Sequence, residues 1–374
     1  MTDKIRVAFN YFDVENTDSL LTILSIKDIP IADRIVLDNK TPDYVIVSDR
    51  IYFKPEYEQS FRKILTDKSR KPILIGFMRE ALSPDLNIFD YAICWNWKFS
   101  YRDRVARIPP HIFVGDHNVI MPEMTNNLTQ SDAKNLLSSK KRFCNFIYSN
   151  SYADSIRKKI FLDLSQYKRV ESLGKSFNNV GTVISGSGDW QELSIKIKNH
   201  YKFSIACENA CFDGYTSEKL LTSFQAHTVP IYWGNPYVSE EYNPEAFINV
   251  NDYNSIDDVI KRVKEIDEND DLWAYIVSRP WQTDSQKKYS EQEYKNYQDF
   301  MMNIFSQPLD KAHRVGYGTW PDLCYKSWFL DRHLMGDTRF LYRLRRFLKT
   351  PSRLTNKIKK AILPETDIEE FFND

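Results

Sequence analysis

The sequence predicts an α/β protein of two successive domains, and three observations carry that prediction. Short apolar runs alternate with helix-like patterns over roughly residues 1–120. The alternation restarts at Phe143, after a polar stretch from Thr125 to Asp132 and a second polar run, Ser138-Ser139-Lys140-Lys141-Arg142. The 374 residues also exceed what one hydrophobic core usually organises.

In the first set, Ile5 to Phe9, Tyr44 to Val47, Ile73 to Phe77 and Tyr91 to Cys94 read as strands. Leu20 to Leu24 and Phe61-Arg62-Lys63-Ile64-Leu65 read as helical. Strand and helix in alternation imply a mostly parallel sheet with helices on its faces. A further helix is expected near Ala133 to Leu137. In the second set, Phe143 to Tyr148, Arg169 to Leu173, Phe203 to Cys207 and Val229 to Trp233 are strands. Ser155 to Leu164, Trp190 to Asn199 and Ser217 to Ala226 are helices between them. The expected boundaries are 1–135 for the first domain, 143–330 for the second and 331–374 for a C-terminal tail. No internal repeat suggests a solenoid.

Composition excludes more than it identifies. Lys+Arg and Asp+Glu are 51 each, so the chain as a whole has no electrostatic preference for nucleic acid. The 22 Tyr, 23 Phe and 8 Trp are read mainly as core material, although aromatic faces also stack on sugars and bases. Met1-Thr2-Asp3-Lys4-Ile5-Arg6-Val7 lacks the apolar core of a secretory signal, and no run is long and apolar enough to span a membrane. A cytoplasmic location is the expectation. The five scattered cysteines, Cys94, Cys144, Cys207, Cys211 and Cys324, are then expected to be reduced thiols.

Arg339 to Lys360 holds nine Lys or Arg and no acidic residue, with interleaved apolar positions broken at Pro351. A basic amphipathic element lying on an anionic membrane surface is expected, with a solvated helix packed on its own protein as the alternative.

Several familiar motifs fail on spacing. Gly174-Lys175-Ser176 follows a strand, but Arg169 stands where a phosphate-binding loop needs its first glycine. Gly186-Ser187-Gly188 lacks the third glycine of a dinucleotide fingerprint. Cys207 and Cys211 have no partner pair with zinc-ligand spacing. No Asp-x-Asp pair is present to hold a metal on a sugar diphosphate. Diphosphate charge would then have to meet cationic side chains and backbone dipoles.

The segment Tyr201 to Leu220 suits that task. It reads as a strand, a polar loop containing Gly214, and a helix opening near Thr216 or Ser217. A helix N-terminus offers unpaired N–H groups and the positive end of its dipole. Lys219 lies in the first turn, where a lysine is normally disfavoured, so it hints at an anionic partner; an ordinary surface lysine is the plain alternative. The loop precedes the buried strand Val229 to Trp233, and ligands of open α/β sheets bind at the carboxyl ends of strands.

These residues resemble the signature of the α-1,3/1,4-fucosyltransferases, glycosyltransferase family 10. The elements are Glu208-Asn209, then Tyr215-Thr216-Ser217-Glu218-Lys219, then Val229-Pro230-Ile231-Tyr232-Trp233-Gly234. Weaker likeness extends through Phe89 to Ile93, Ser149-Asn150 with Arg157, and Gly174-Lys175, over roughly residues 5–310. It is nearest to bacterial members such as those of Helicobacter.

The resemblance implies a GT-B fold, two Rossmann-like domains with the nucleotide sugar held by the second. It implies inverting transfer of L-fucose from GDP-β-L-fucose to N-acetylglucosamine, α-1,3 or α-1,4, in a lactosamine-type glycan, with surface polysaccharide as the expected setting. Arg157 and Lys219 match the cations that hold the diphosphate. Glu218 matches a carboxylate contacting donor sugar or nucleoside, and Asn209 and Tyr215 match donor-pocket positions. Glu80, in Gly76-Phe77-Met78-Arg79-Glu80-Ala81-Leu82-Ser83-Pro84, matches the general base. Some relatives carry a second glutamate where this chain has Leu82. From the residues alone Glu80 reads as a solvated loop carboxylate, and Arg157 is equally an exposed helix arginine. The implied reaction requires no metal, with divalent stimulation left open. GDP-fucose and an oligosaccharide acceptor are the expected partners. Another nucleotide sugar on the same fold, or a non-catalytic carbohydrate-binding protein, are the competing expectations.

Overall fold

The computed structural model describes residues 4–10, 14–52, 55–66, 71–99, 101, 103–107, 126–150, 153–185, 190–316 and 365–373. The basic run 339–360, the loop Gly186-Ser187-Gly188 and Cys324 lie outside them. Contacts divide the chain into two units, Met1–Pro109 with Gln292–Lys359, and Pro110–Glu291 with Lys360–Asp374.

The first unit is a six-stranded, wholly parallel sheet. Its strands are β1 (Ile5–Asn10), β2 (Ile35–Leu37), β3 (Tyr44–Ser48), β4 (Ile73–Phe77), β5 (Tyr91–Cys94) and β6 (Val105–Arg107). They stand in the order β2-β1-β3-β4-β5-β6. Every residue of β3, β4 and β5 is buried. A parallel sheet covered on both faces needs such continuous apolar runs, which is why these strands were readable as runs and not as alternation. Helices α1 (Thr17–Ile23) and α2 (Pro55–Thr66) connect them. Asn16 caps α1 by accepting the Ser19 N–H at 2.9 Å. The two strands that sequence patterning missed, β2 and β6, are three residues each and too short to show a period.

The second unit begins with α3 (Gln130–Leu137), opened by a reciprocal capping box between Thr129 and Asp132. Then follow β7 (Arg142–Phe146), α4 (Ser155–Tyr167), β8 (Val170–Ser172), β9 (Val183–Ser185), α5 (Trp190–Lys198), β10 (Tyr201–Cys207), α6 (Glu218–Gln225) and β11 (Val229–Trp233). The short α7 (Val238–Glu241), β12 (Ile248–Asn249), α8 (Ile256–Asp267) and α9 (Asp270–Val277) complete it. Its main sheet is again parallel, in the order β12-β11-β10-β7-β8. The strand order reverses between β7 and β10, which makes their carboxyl ends the expected ligand position of an open α/β sheet.

The expected second domain, 143–330, differs from this division at its end. Helix α10 (Asp284–Ser306) contributes to the first unit from Gln292 onward. The Tyr297 hydroxyl donates to the Leu24 carbonyl at 2.7 Å, and the Ile304 carbonyl accepts from Tyr44 at 3.2 Å. Tyr91 packs edge-on against Phe300. The expected tail, 331–374, is likewise not one basic element. Its described portion, residues 365–373, forms β13 (Glu365–Asp367), paired in parallel with β9, and a closing helix, Ile368–Asn373. Phe372 of that helix stacks on His200, with ring centroids 3.7 Å apart. Among the described residues no helix is long and apolar enough to cross a membrane.

Candidate donor site

The carboxyl ends of β7 and β10, at the strand-order reversal, are tied together by one arginine. Arg157, in the first turn of α4, is 3% exposed, not a surface residue. One arm of its guanidinium donates to Asn209 Oδ1 at 2.8 Å and the other to the Asn150 carbonyl at 2.6 Å. Its carbon sits 4.2 Å from the centre of the Tyr148 ring. Stacking plus two directed donors is a use of the planar fork that lysine cannot reproduce. The Tyr148 hydroxyl in turn accepts the Cys207 N–H at 2.8 Å, so the ends of both strands are fixed from below.

From β10 the chain enters a loop organised by Glu208, whose side chain has no exposed surface. The carboxylate accepts the Ser217 N–H and the Ser217 hydroxyl, each at 2.7 Å. The Lys219 ammonium lies 3.2 Å away on the same carboxylate. Lys219 also donates to Ser217 Oγ at 2.8 Å and to Glu218 at 3.3 Å. Ser217 is the N-cap of α6, yet its side chain makes no capping bond, because Glu208 and Lys219 engage it. Ser217 therefore does not supply the capping oxygen that an N-cap serine ordinarily offers to the first N–H groups. The positive dipole end of α6 and the Lys219 ammonium thus lie at one place, which together suit a phosphate.

The charges here do not behave alike. Burial pushes the Glu208 carboxyl up; Lys219 opposes this and Glu218 reinforces it. Burial acts the same way on Glu218, but Lys219 and hydrogen bonding outweigh it and hold Glu218 below its ordinary value. Lys198 lies behind the helix start, donating to the Lys219 carbonyl, to Thr222 Oγ1 at 2.6 Å and to Ser223 Oγ. Burial brings it down to about 7.

The remaining loop is fixed by Asn235. Its side chain accepts the Gly214 N–H at 2.8 Å and donates to Thr216 Oγ1, and its N–H donates to the Tyr232 hydroxyl. Tyr215 is buried, and the Tyr232 hydroxyl reaches its carbonyl at 3.3 Å. Gly234 has a structural reason: a Cβ there would lie 2.4 Å from Glu208 Cγ.

The structure thus groups five of the expected residues in the second unit, Arg157 with Asn209, and Tyr215 with Glu218 and Lys219. Glu80 belongs to the first unit, in the segment after β4, and its side chain is exposed. Sequence reasoning gave no role to Glu208, although a carboxylate ending a buried apolar strand is a signal of one. It also missed Tyr148, Lys198 and Asn235, whose types at those positions carry no pattern. The described cysteines Cys94, Cys144, Cys207 and Cys211 are free thiols.

Residues 137–314 match the family model of glycosyltransferase family 10 (fucosyltransferase), C-terminal part. Over that region the chain is similar to glycosyltransferase family 10. The chain is 27% identical over 230 residues to the alpha-(1,3)-fucosyltransferase FucT of Helicobacter pylori, covering 55% of this chain and 46% of that protein. It is 30% identical over 148 residues to human 4-galactosyl-N-acetylglucosaminide 3-alpha-L-fucosyltransferase 9, covering 39% of this chain and 38% of that protein. The chain spans less than half the length of each of these curated relatives. A crystal structure of an alpha1,3-fucosyltransferase with GDP-fucose superposes with a TM-score of 0.60 at 22% identity, over 82% of this chain and 92% of that one. That likeness establishes the GT-B fold, which the two parallel-sheet units display.

Proposed function

We propose that this chain is an inverting fucosyltransferase, moving L-fucose from GDP-β-L-fucose to a hydroxyl of N-acetylglucosamine in a lactosamine-type glycan. The observation that carries the reading is the start of α6, where Lys219 is held against buried Glu208 near the strand end that carries the Arg157–Asn209 pair. The donor follows from that anion-suited site and from the GDP-fucose that accompanies the superposed alpha1,3-fucosyltransferase. The acceptor and the α-1,3 linkage follow from the activities for which the Helicobacter and human relatives are named, with α-1,4 as the isomeric alternative.

In the proposed reaction the acceptor oxygen attacks the anomeric carbon as the bond to the diphosphate oxygen breaks. The acceptor proton passes to the Glu80 carboxylate. A sugar hydroxyl is a far weaker acid than a carboxyl group, so the proton moves within the transition state, a contribution on the order of 10²–10⁴-fold. Negative charge grows on the departing diphosphate, where Lys219, Arg157 and the α6 backbone donors stabilise it. Asn209, Tyr215 and Glu218 complete the donor pocket. This scheme assigns no step to a metal, and a divalent ion enters only as a stimulant. Modification of surface polysaccharide, and contact of the basic tail with a membrane face, belong to the same proposal.

The test is acceptor-dependent GDP release from GDP-fucose with N-acetyllactosamine, in wild type, Glu80→Ala and Lys219→Ala. Both variants should lose turnover, while Glu80→Ala keeps GDP binding. A wild-type chain that fails to bind GDP-fucose sinks the reading.

A further inference from the structure

The segment that carries Glu80 is held by a buried carboxylate from the neighbouring strand. Asp49 follows β3 directly and is 2% exposed. Its Oδ2 accepts two consecutive backbone N–H groups, from Arg79 at 2.8 Å and from Glu80 at 2.6 Å. Trp95, just after β5, donates its indole N–H to the Arg79 carbonyl at 2.9 Å. The Met78 N–H before them still pairs with the Ile93 carbonyl, and the Glu80 carbonyl accepts the Leu82 N–H at 2.7 Å. The backbone from Met78 to Glu80 is therefore anchored from the strands on both sides of β4. The Glu80 side chain nonetheless projects to an exposed position.

A loop carboxylate with no task needs none of this. Asp49 is placed in a low-dielectric interior, where an acceptor is costly unless matched by donors. Burial pushes its carboxyl up, and the Glu80 N–H, the Arg79 charge and the Ser48 hydroxyl oppose that by favouring the charged form. Carboxylate acceptors make bonds roughly twice as strong as neutral ones, so this clamp is stiffer than a serine or backbone carbonyl would provide.

We propose that Asp49, with Trp95 as its counterpart on the opposite side of the peptide, is a positioning residue that fixes the backbone of Glu80 for proton transfer. The proposal rests on the assignment of Glu80 as the base. A general base must hold hydrogen-bond distance to the proton it takes, and a misplacement of about 1 Å costs about 10²-fold in rate. Asp49 is buried and acts through the Arg79 and Glu80 amides.

The test is a double-mutant cycle on kcat in the full chain, with GDP-fucose and N-acetyllactosamine. Asp49→Ala is expected to lower kcat about 10²-fold with an unchanged KM for GDP-fucose. Asp49→Asn, which keeps one carbonyl oxygen for the two amides, is expected to restore about tenfold of that loss. In the Glu80→Gln background, Asp49→Ala should change kcat less than about threefold, because the group it positions is gone. Trp95→Phe keeps the ring packing and removes one bond; it should lower kcat about threefold to tenfold and likewise lose its effect beside Glu80→Gln. Full multiplication of either effect onto Glu80→Gln would overturn the proposal. So would wild-type kcat in Trp95→Phe, which decides the matter even where Asp49→Ala does not fold. Wild-type kcat in Glu80→Gln alone would instead remove the base assignment, a result read without any Asp49 variant.

Discussion

The Lys219 ammonium lies 3.2 Å from the Glu208 carboxylate, and that carboxylate has no exposed surface. A buried charge with one cation and two Ser217 donors is stable only while all three remain. Glu208→Ala would remove the acceptor of the Ser217 N–H and hydroxyl, and leave Lys219 with Ser217 Oγ and Glu218. The expected cost is about 2–4 kcal/mol, below the value for a fully buried pair because Lys219 keeps some exposure. Urea unfolding checks this, and a midpoint equal to wild type would show that the pair contributes nothing.

Arg157→Lys tests whether charge alone suffices at the β7–β10 junction. Lysine would keep the cation but could not serve Asn209, the Asn150 carbonyl and the Tyr148 ring together. The expected loss is about 2 kcal/mol of stability and about tenfold or more in GDP affinity, measured by calorimetry. Wild-type affinity in a folded Arg157→Lys chain would reduce the role of Arg157 to its charge.

How much of this fold and site is legible in the sequence depends on whether a feature is local. The long strands are legible because a parallel sheet buried on both faces demands uninterrupted apolar runs such as Tyr44 to Val47 and Ile73 to Phe77. The helix start at Ser217 and the oddity of Lys219 in a first turn are legible too. The burial of Arg157 is not. In sequence it precedes Lys158 and Lys159 and looks like one of three surface cations; its partners distinguish it, among them Asn209, 52 residues away. Glu208 and Asp49 share that property, since each takes its meaning from amides that lie distant in sequence or across a strand pairing. The short β2 and β6, and the return of residues 365–373 onto β9, leave no period to read.

The pH dependence of stability should carry the mark of two buried lysines. Burial brings Lys140, whose ammonium donates to the Ala226 carbonyl, down to about 7, as it does Lys198. In the unfolded chain a lysine keeps its proton to about pH 10.4. Between about pH 7 and pH 10 the unfolded state therefore binds more protons, and stability rises with pH. Each lysine contributes at most about 1.4 kcal/mol per pH unit in that window. Lys140→Met removes one contribution, so the gain in urea midpoint from pH 7 to pH 9 should shrink. An unaltered gain would place the proton uptake elsewhere.

Gly234 offers the sharpest separation between backbone strain and a specific contact. Alanine there would set its Cβ 2.4 Å from Glu208 Cγ and 2.7 Å from Glu208 Cβ, with φ at +157°. Glu208 cannot withdraw without releasing Ser217 and Lys219, so the substitution should act on the donor site as well as on the fold. Overpacking of this kind costs about 1–3 kcal/mol. Gly181→Ala is the control, since its φ of +84° is also unfavourable for alanine but a Cβ there would meet nothing within 4 Å. Both variants should lower the Tm, while only Gly234→Ala should weaken GDP binding. Equal GDP affinity in the two would separate Gly234 from the Glu208–Lys219 arrangement and leave the glycine with a purely conformational role.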